Sequence, residues 1–132
     1  MKRDMDLVRK ILLKIEEEYV STPIYNLTIE GYDMETVAYH CEILHEAGLV
    51  SDYEAQYGDD EIVIFGVGGL TWEGCDYLDK VRDDSIWQKT KSAIKEKSLP
   101  LIFDTIKTIS SAFITAAAEG VASSILKNGG AQ

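Results

Sequence analysis

Apolar positions near the start of the chain recur every three or four residues, which is the spacing of one helix face. This pattern covers residues 4–19 and predicts a first helix that ends before Pro23, which lacks an amide donor. Over residues 24–30 apolar and polar residues alternate, and this predicts a half-buried strand. The apolar stripe of the helix consists of Leu7, Val8, Ile11, Leu12, Ile15 and Tyr19.

A second helix is predicted over residues 34–47, with Asp33 as its N-cap and Gly48 as its C-terminal stop. Two segments with the character of strands follow directly, over residues 49–55 and 61–67. A short polar segment separates them, so they predict the two strands of a hairpin.

Three more helices are predicted after the hairpin. The third begins after Thr71, and the fourth begins at Ser85 with the spacing of a capping box. The last covers residues 101–127, and the glycines at 129 and 130 are expected to fray.

The order helix, strand, helix, hairpin, helix predicts an α+β fold of the winged-helix type with a C-terminal helical extension. We assign residues 1–98 to the winged-helix-like domain and residues 99–132 to the extension. Only one helix lies between the first strand and the hairpin. The helix-turn-helix pair of a standard winged helix is therefore shortened or missing.

The negative charge is concentrated in the first half of the chain. Residues 1–60 hold 5 Lys or Arg and 14 Asp or Glu, which gives −9 of the total net charge of −10. Such a field repels nucleic acid at long range. The composition is that of a globular protein, and the sequence opens without an apolar signal segment, so we expect a cytoplasmic protein.

Several motifs in order resemble those of a bacterial and phage family, domain of unknown function 2513. The resemblance covers roughly residues 1–97. The first motif is Met1-Lys2-Arg3-Asp4-Met5-Asp6-Leu7-Val8-Arg9-Lys10-Ile11-Leu12. The others are Gly31-Tyr32, Tyr39-His40, Glu46-Ala47-Gly48-Leu49, Leu70-Thr71-Trp72-Glu73-Gly74, Leu78-Asp79-x-Val81-Arg82-Asp83 and Ile86-Trp87.

The resemblance implies a phage- or prophage-associated cytoplasmic protein. It brings no established activity and no catalytic residues. Members of that family often carry a histidine where this chain has Cys75, so any role of that histidine does not transfer here.

Two surfaces are candidates for binding a partner. The outer row of the second helix forms a candidate interaction face of Glu35, Tyr39, Glu42 and Glu46. The candidate wing is Tyr57, Gly58, Asp59 and Asp60. A winged helix reads DNA with these two elements, but residues 31–50 contain no lysine or arginine. DNA binding is therefore disfavoured, and a protein partner is favoured.

The residues that could carry metal or catalytic chemistry do not form a complete set. Cys41 and His45 lie one helical turn apart near His40, but two ligands do not close a zinc site. No nucleophile has both a base and an orienting group, so we predict no enzyme activity, no metal and no cofactor. Cys41 and Cys75 are expected to be reduced and packed among apolar side chains.

Large aromatic residues and the last helix supply the remaining apolar surface. Trp72, Tyr77 and Trp87 are expected to be anchors in the core. The last helix carries an apolar stripe, and we expect it to pair with a second copy or to pack on its own domain rather than to span a membrane. The candidate self-association residues are Ile106, Ile109, Phe113, Ala117 and Val121.

These observations favour a non-catalytic interaction or regulatory module that acts through protein contacts. A winged-helix DNA-binding transcriptional regulator is the first alternative, supported mainly by fold analogy. An acidic decoy that mimics nucleic acid is the second alternative.

Overall fold

The computed structural model of the chain describes residues 1–129 and confirms the mixed α+β class. Fraying was predicted at two glycines: the last helix instead includes Gly129, and Gly130 lies outside the described residues. Within the described part there are five helices and one small antiparallel sheet. The elements are α1 (Met5–Glu18), β1 (Ile24–Tyr25), α2 (Met34–Glu46), β2 (Tyr53–Gly58), β3 (Glu61–Val67), α3 (Trp72–Val81), α4 (Asp84–Glu96) and α5 (Phe103–Gly129).

The helix α1 forms as its apolar spacing predicts. Asp4 is the N-cap, and its carboxylate accepts a hydrogen bond from the backbone N–H of Leu7 at 3.1 Å. The helix ends at Glu18, because Tyr19 already has extended backbone angles. The stripe that α1 buries is Met5, Leu7, Val8, Ile11, Leu12 and Ile15.

The first strand is much shorter than predicted. We expected a strand over residues 24–30, but β1 ends at Tyr25 because Asn26 has a φ of 51° and turns the chain out of the sheet. Asn26 still forms two hydrogen bonds with the backbone of β3. Its N–H donates to the Phe65 carbonyl at 2.8 Å, and its Oδ1 accepts from the Phe65 N–H at 3.0 Å. Leu27 and Ile29 remain buried without belonging to a strand.

The sheet has the strand order β1-β3-β2, with every neighbour antiparallel. The bounds of β3 match the prediction, whereas β2 begins at Tyr53 and not at residue 49. The preceding residues still pair with the chain after β3. The Ser51 N–H donates to the Gly69 carbonyl at 2.8 Å, the Gly68 N–H donates to the Asp52 carbonyl at 2.9 Å, and Val50 forms an isolated bridge with Leu70. Asp59 and Asp60 both have positive φ, which makes a two-residue hairpin turn.

The connection between α2 and the hairpin is held by α3. The N–H of Thr71 donates to the Leu49 carbonyl at 3.0 Å, and the Thr71 hydroxyl donates to the Gly48 carbonyl. That hydroxyl also accepts from the N–H of Gly74 at 3.1 Å, so Thr71 caps α3 as predicted. Gly74 is buried with its α-carbon against the Leu49 carbonyl, where a side chain has no room. The motifs over residues 46–49 and 70–74 therefore pack against one another.

Packing divides the chain into two compact units, Met1–Asp79 and a second unit that begins at Lys80. The helix α4 packs along α5 and belongs to the second unit with it. Asp83, and not Ser85, is the N-cap of α4, since its carboxylate accepts from the N–H of Ile86 at 2.9 Å. Residues buried in the second unit are Val81, Trp87, Thr90, Ile94, Ile106 and Ser110.

Candidate functional site

The structure brings the candidate interaction face and the candidate wing to the two sides of one cleft, between α2 and the β2–β3 hairpin. The cleft has a volume of about 230 Å³. Because it is lined by three carboxylates and three tyrosines, it is termed here the acidic tyrosine cleft. Its lining residues are Glu35, Ala38, Tyr39, Glu42, Tyr53, Tyr57, Asp60 and Ile62.

One wall of the cleft is a face of α2. Glu35, Tyr39 and Glu42 are spaced by four and three residues, so they follow one another along the same side of the helix. The helix starts at a fixed point because the Asp33 carboxylate accepts a hydrogen bond from the N–H of Thr36 at 2.8 Å. Hydrogen bonds to Thr36 also hold the pKa of Asp33 below its usual value, so the cap remains ionised.

The other wall depends on an irregularity in the hairpin. The register shifts between Gln56 and Tyr57, which pair with Ile64 and Ile62 and leave Val63 as an extra residue. Strict alternation from Phe65 would put Val63 on the cleft side. The bulge places Ile62 there, and Val63 is 60% exposed.

The negative charge of the cleft follows from the composition of the surrounding chain. Residues 15–79 contain no lysine or arginine, so neither residue type lies close in sequence to the cleft carboxylates. Burial raises the pKa of Tyr53, and the neighbouring Tyr57 and Glu42 raise it further. Tyr53 therefore keeps its proton at neutral pH and can donate a hydrogen bond. Carboxylates together with tyrosine rings suit a cationic side chain.

Not every residue of the two candidate sets lines the cleft. Glu46 lies one turn further along α2 and is exposed, and Gly58 and Asp59 are exposed at the hairpin tip. Conversely, sequence reasoning missed three lining residues, Ala38, Tyr53 and Ile62. The alternation of Tyr53 and Tyr57 with polar residues along β2 was a usable signal for the tyrosines. No sequence signal located the bulge that presents Ile62.

The histidine of the Tyr39-His40 motif is used in the fold. His40 is fully buried, and its Nδ1 lies 2.8 Å from the Thr36 carbonyl oxygen. Its Nε2 accepts the backbone N–H of Asp4 at 2.8 Å. A carbonyl can only accept and an N–H can only donate, so the imidazole is neutral with its proton on Nδ1. The Tyr32 hydroxyl donates to the Asp4 carboxylate at 3.1 Å, which joins three motifs in one network.

The two cysteines differ in exposure. Cys41 is buried as expected, whereas the expectation that Cys75 is packed among apolar side chains is wrong, since Cys75 lies on the exposed side of α3. Both thiols are free. Within residues 1–129, no three His, Cys, Asp or Glu side chains are grouped closely enough to hold a metal ion.

We expect one thiol to react rapidly in the native protein and two in denaturant. Burial raises the pKa of Cys41 to about 12, so at pH 8 this thiol is almost wholly protonated and unreactive. A chromogenic disulfide reagent at pH 8 measures the count. Cys75→Ser should remove the rapid phase, and Cys41→Ser should leave it unchanged. Rapid labelling of both cysteines in native wild-type protein would contradict this prediction.

The three aromatic residues that we predicted as core anchors also differ in exposure. Tyr77 and Trp87 are buried, as predicted. Trp72 was expected in the core, but it is the first residue of α3 and 78% of its side chain is exposed. Its position follows from the cap at Thr71, since the first turn of α3 buries Gly74 instead.

The candidate self-association stripe lies partly inside its own unit. Ile106 is fully buried, Ile109 and Phe113 are half-buried, Ala117 is exposed and Val121 is 59% exposed. The helix segment Phe103–Asn128 is long and apolar enough to cross a membrane by length and composition, and 6% of its most apolar window is buried.

Comparison with known proteins gave two matches. A family model described as "Hypothetical protein (DUF2513)" matches residues 2–100, which include α1 to α4. An uncharacterized protein of Haemophilus influenzae is 38% identical over 116 residues, which is 87% of this chain and 97% of that relative. No solved structure matches the chain.

Proposed function

The chain belongs to the DUF2513 family, and we propose that it is a non-catalytic interaction module that binds a basic segment of a partner protein in the acidic tyrosine cleft. One observation carries this proposal. The outer face of α2 and the hairpin, predicted separately as binding surfaces, meet across a cleft with carboxylates on both walls. A phage- or prophage-associated protein acting in the cytoplasm fits this role.

We regard the first unit as a variant of the winged helix. In that comparison α2 takes the place of the recognition helix and the β2–β3 hairpin takes the place of the wing. Each carboxylate that approaches a phosphate is repulsive and releases no counterion. Glu35, Glu42 and Asp60 would therefore oppose docking of these elements in a DNA groove.

A lysine or arginine side chain has the chemistry that the cleft matches. The carboxylates of Glu42 and Asp60 supply acceptors from opposite walls. The ring faces of Tyr39 and Tyr57 supply cation–π contacts, and Ile62 offers apolar surface to the side-chain stem. We infer a non-catalytic role because these lining residues are carboxylates, tyrosines and aliphatic side chains with no activated nucleophile among them.

Selection of peptides from a random library on the immobilised full chain tests the proposal directly. We expect enrichment of peptides with lysine or arginine. Fluorescence anisotropy should then show that Glu42→Lys weakens binding of a selected peptide by about 30-fold, the size expected for losing a partly buried charge pair. The same assay with a random-sequence DNA duplex at low salt should show no binding at micromolar concentration.

Glu73→Lys is the matched control, because it makes the same charge change at an exposed position on α3. We expect it to weaken peptide binding less than about twofold, since an exposed charge contributes little. Equal losses for both variants would mean that the overall negative field, and not the cleft, binds the peptide. Salt-sensitive, sub-micromolar binding of the DNA duplex would replace the proposal with the regulator alternative. Thermal melting of each variant checks that it is folded.

A further inference from the structure

The last half of α5 carries apolar side chains that nothing in its own unit covers. Burial along the helix ends at Phe113, and every residue over 114–128 is exposed. Ile114, Val121 and Ile125 are 38%, 59% and 64% exposed. An isolated helix of this length is marginal in water, because most helical stability in proteins comes from packing. We therefore expect a partner to cover the apolar side chains of this segment.

We propose that this segment pairs with the same segment of a second copy of the chain, in an antiparallel two-helix contact. Ile114, Ala118, Val121 and Ile125 are spaced by four, three and four residues, which is the seam spacing of a two-helix coiled coil. Of the predicted stripe only Val121 belongs to this seam, because Ile106 is buried and Ile109 and Phe113 are half-buried in their own unit. This surface shares no residue with the acidic tyrosine cleft.

The charges of the segment are placed as this pairing requires. Glu119 and Lys127 follow seam residues by one and two positions, so both point away from the seam and stay in water when it is covered. The positions that flank the seam hold small residues, among them Ala117, Ala122 and Ser124. Small flanking side chains let two helix backbones approach closely.

A second copy fits the segment better than a lipid bilayer does. The uncovered part over residues 114–128 is 15 residues, or about 22 Å of helix, against a hydrocarbon core of about 30 Å. The preceding turns of α5 pack along α4, whose Lys91 and Lys95 would then enter the membrane. Glu119 would also lie near the bilayer centre, where a carboxylate is strongly disfavoured.

The antiparallel arrangement follows from side-chain size and charge. In this orientation Ile114 of one copy lies opposite Ile125 of the other, and Ala118 lies opposite Val121. The two helix dipoles then oppose each other favourably. Each chain has a net charge of −10, and antiparallel overlap of the C-terminal halves keeps the preceding parts of the two chains at opposite ends of the contact.

Sedimentation equilibrium of the full chain tests the pairing. We expect a dimer at micromolar concentration, and we expect Val121→Lys to weaken association at least about tenfold by placing a charge in the seam. Ser123→Lys is the matched control, because it adds the same charge on the opposite side of the helix, and it should remain dimeric. Both positions are exposed, so neither change threatens the fold.

Spin labels attached at Asn128→Cys in a Cys75→Ser chain test the orientation. Antiparallel pairing places the two labels about 25 Å apart along the helix axis, whereas parallel pairing places them across one interhelix spacing of about 10 Å. A monomeric full chain, equal effects of the two lysine variants, or the short label distance would overturn the proposal. Flotation of the monomer with phosphatidylcholine–phosphatidylglycerol vesicles would overturn it in favour of a membrane.

Discussion

Replacing Gly74 by alanine is expected to lower the free energy of unfolding by about 3 kcal/mol, at the upper end of overpacking effects. The added Cβ would meet the carbonyl oxygen of Leu49 far inside van der Waals contact, and Leu70 Cβ lies at 3.4 Å. The Leu49 carbonyl cannot move away freely, because it accepts the N–H of Thr71 at 3.0 Å. Relief of the clash would require the turn after α2 to separate from the start of α3.

Urea denaturation of Gly74→Ala measures this loss, and Gly48→Ala is the control from the same contact. Gly48 has a φ of 80°, and no neighbouring atom lies within 4 Å of the position that a Cβ would take, so alanine there adds backbone strain but no clash. We expect the control to lose about 1 kcal/mol. A Gly74→Ala loss no larger than that of Gly48→Ala would show that the approach of α3 to the Leu49 carbonyl is not tight.

His40→Ala is expected to lower the free energy of unfolding by about 4 kcal/mol, through a cavity and the loss of two hydrogen bonds. The imidazole is fully buried and joins the Asp4 N–H at the start of α1 to the Thr36 carbonyl in α2. Alanine leaves both backbone groups without this partner in a space that the ring had filled. The two helices would lose the polar connection that sets their relative position.

His45 supplies the control for that experiment, because it lies on the same helix and is exposed. We expect His45→Ala to change the free energy of unfolding by less than about 0.5 kcal/mol. Chemical denaturation followed by tryptophan fluorescence and by circular dichroism compares the two variants. Similar stabilities of His40→Ala and His45→Ala would contradict a bridging role for His40.

The helices and the strand β3 were predictable because their residues repeat a simple period. The stripe of α1 and the run over Glu61–Val67 each have one face that must be buried, and the sequence displays that face directly. The first strand was overestimated for a local reason. Alternation continues past Asn26, but a left-handed backbone at that residue ends the strand. The pattern of apolar and polar residues gives no sign of this backbone conformation.

The sequence predicted the two walls of the cleft separately, but it did not predict that they meet. The row of Glu35, Tyr39 and Glu42 follows from helical spacing, and the polar hairpin tip follows from composition. Their meeting depends on where the bulge near Val63 falls, and a bulge is a tertiary feature with no strict residue requirement. Trp72 was misjudged for a related reason, since size favoured the core while the cap at Thr71 turned it outward.

The long stretch without lysine or arginine, residues 15–79, has a practical consequence for finding the partner. Trypsin cannot cut within it, so the segment stays whole in a digest and travels as one large peptide. A carbodiimide joins carboxylates to amines without a spacer, and the segment supplies many carboxylates but no side-chain amine. A lysine found covalently attached at Glu42 or Asp60 after such treatment therefore comes from outside the segment. The sequence of the peptide that contains this lysine identifies the protein to which it belongs.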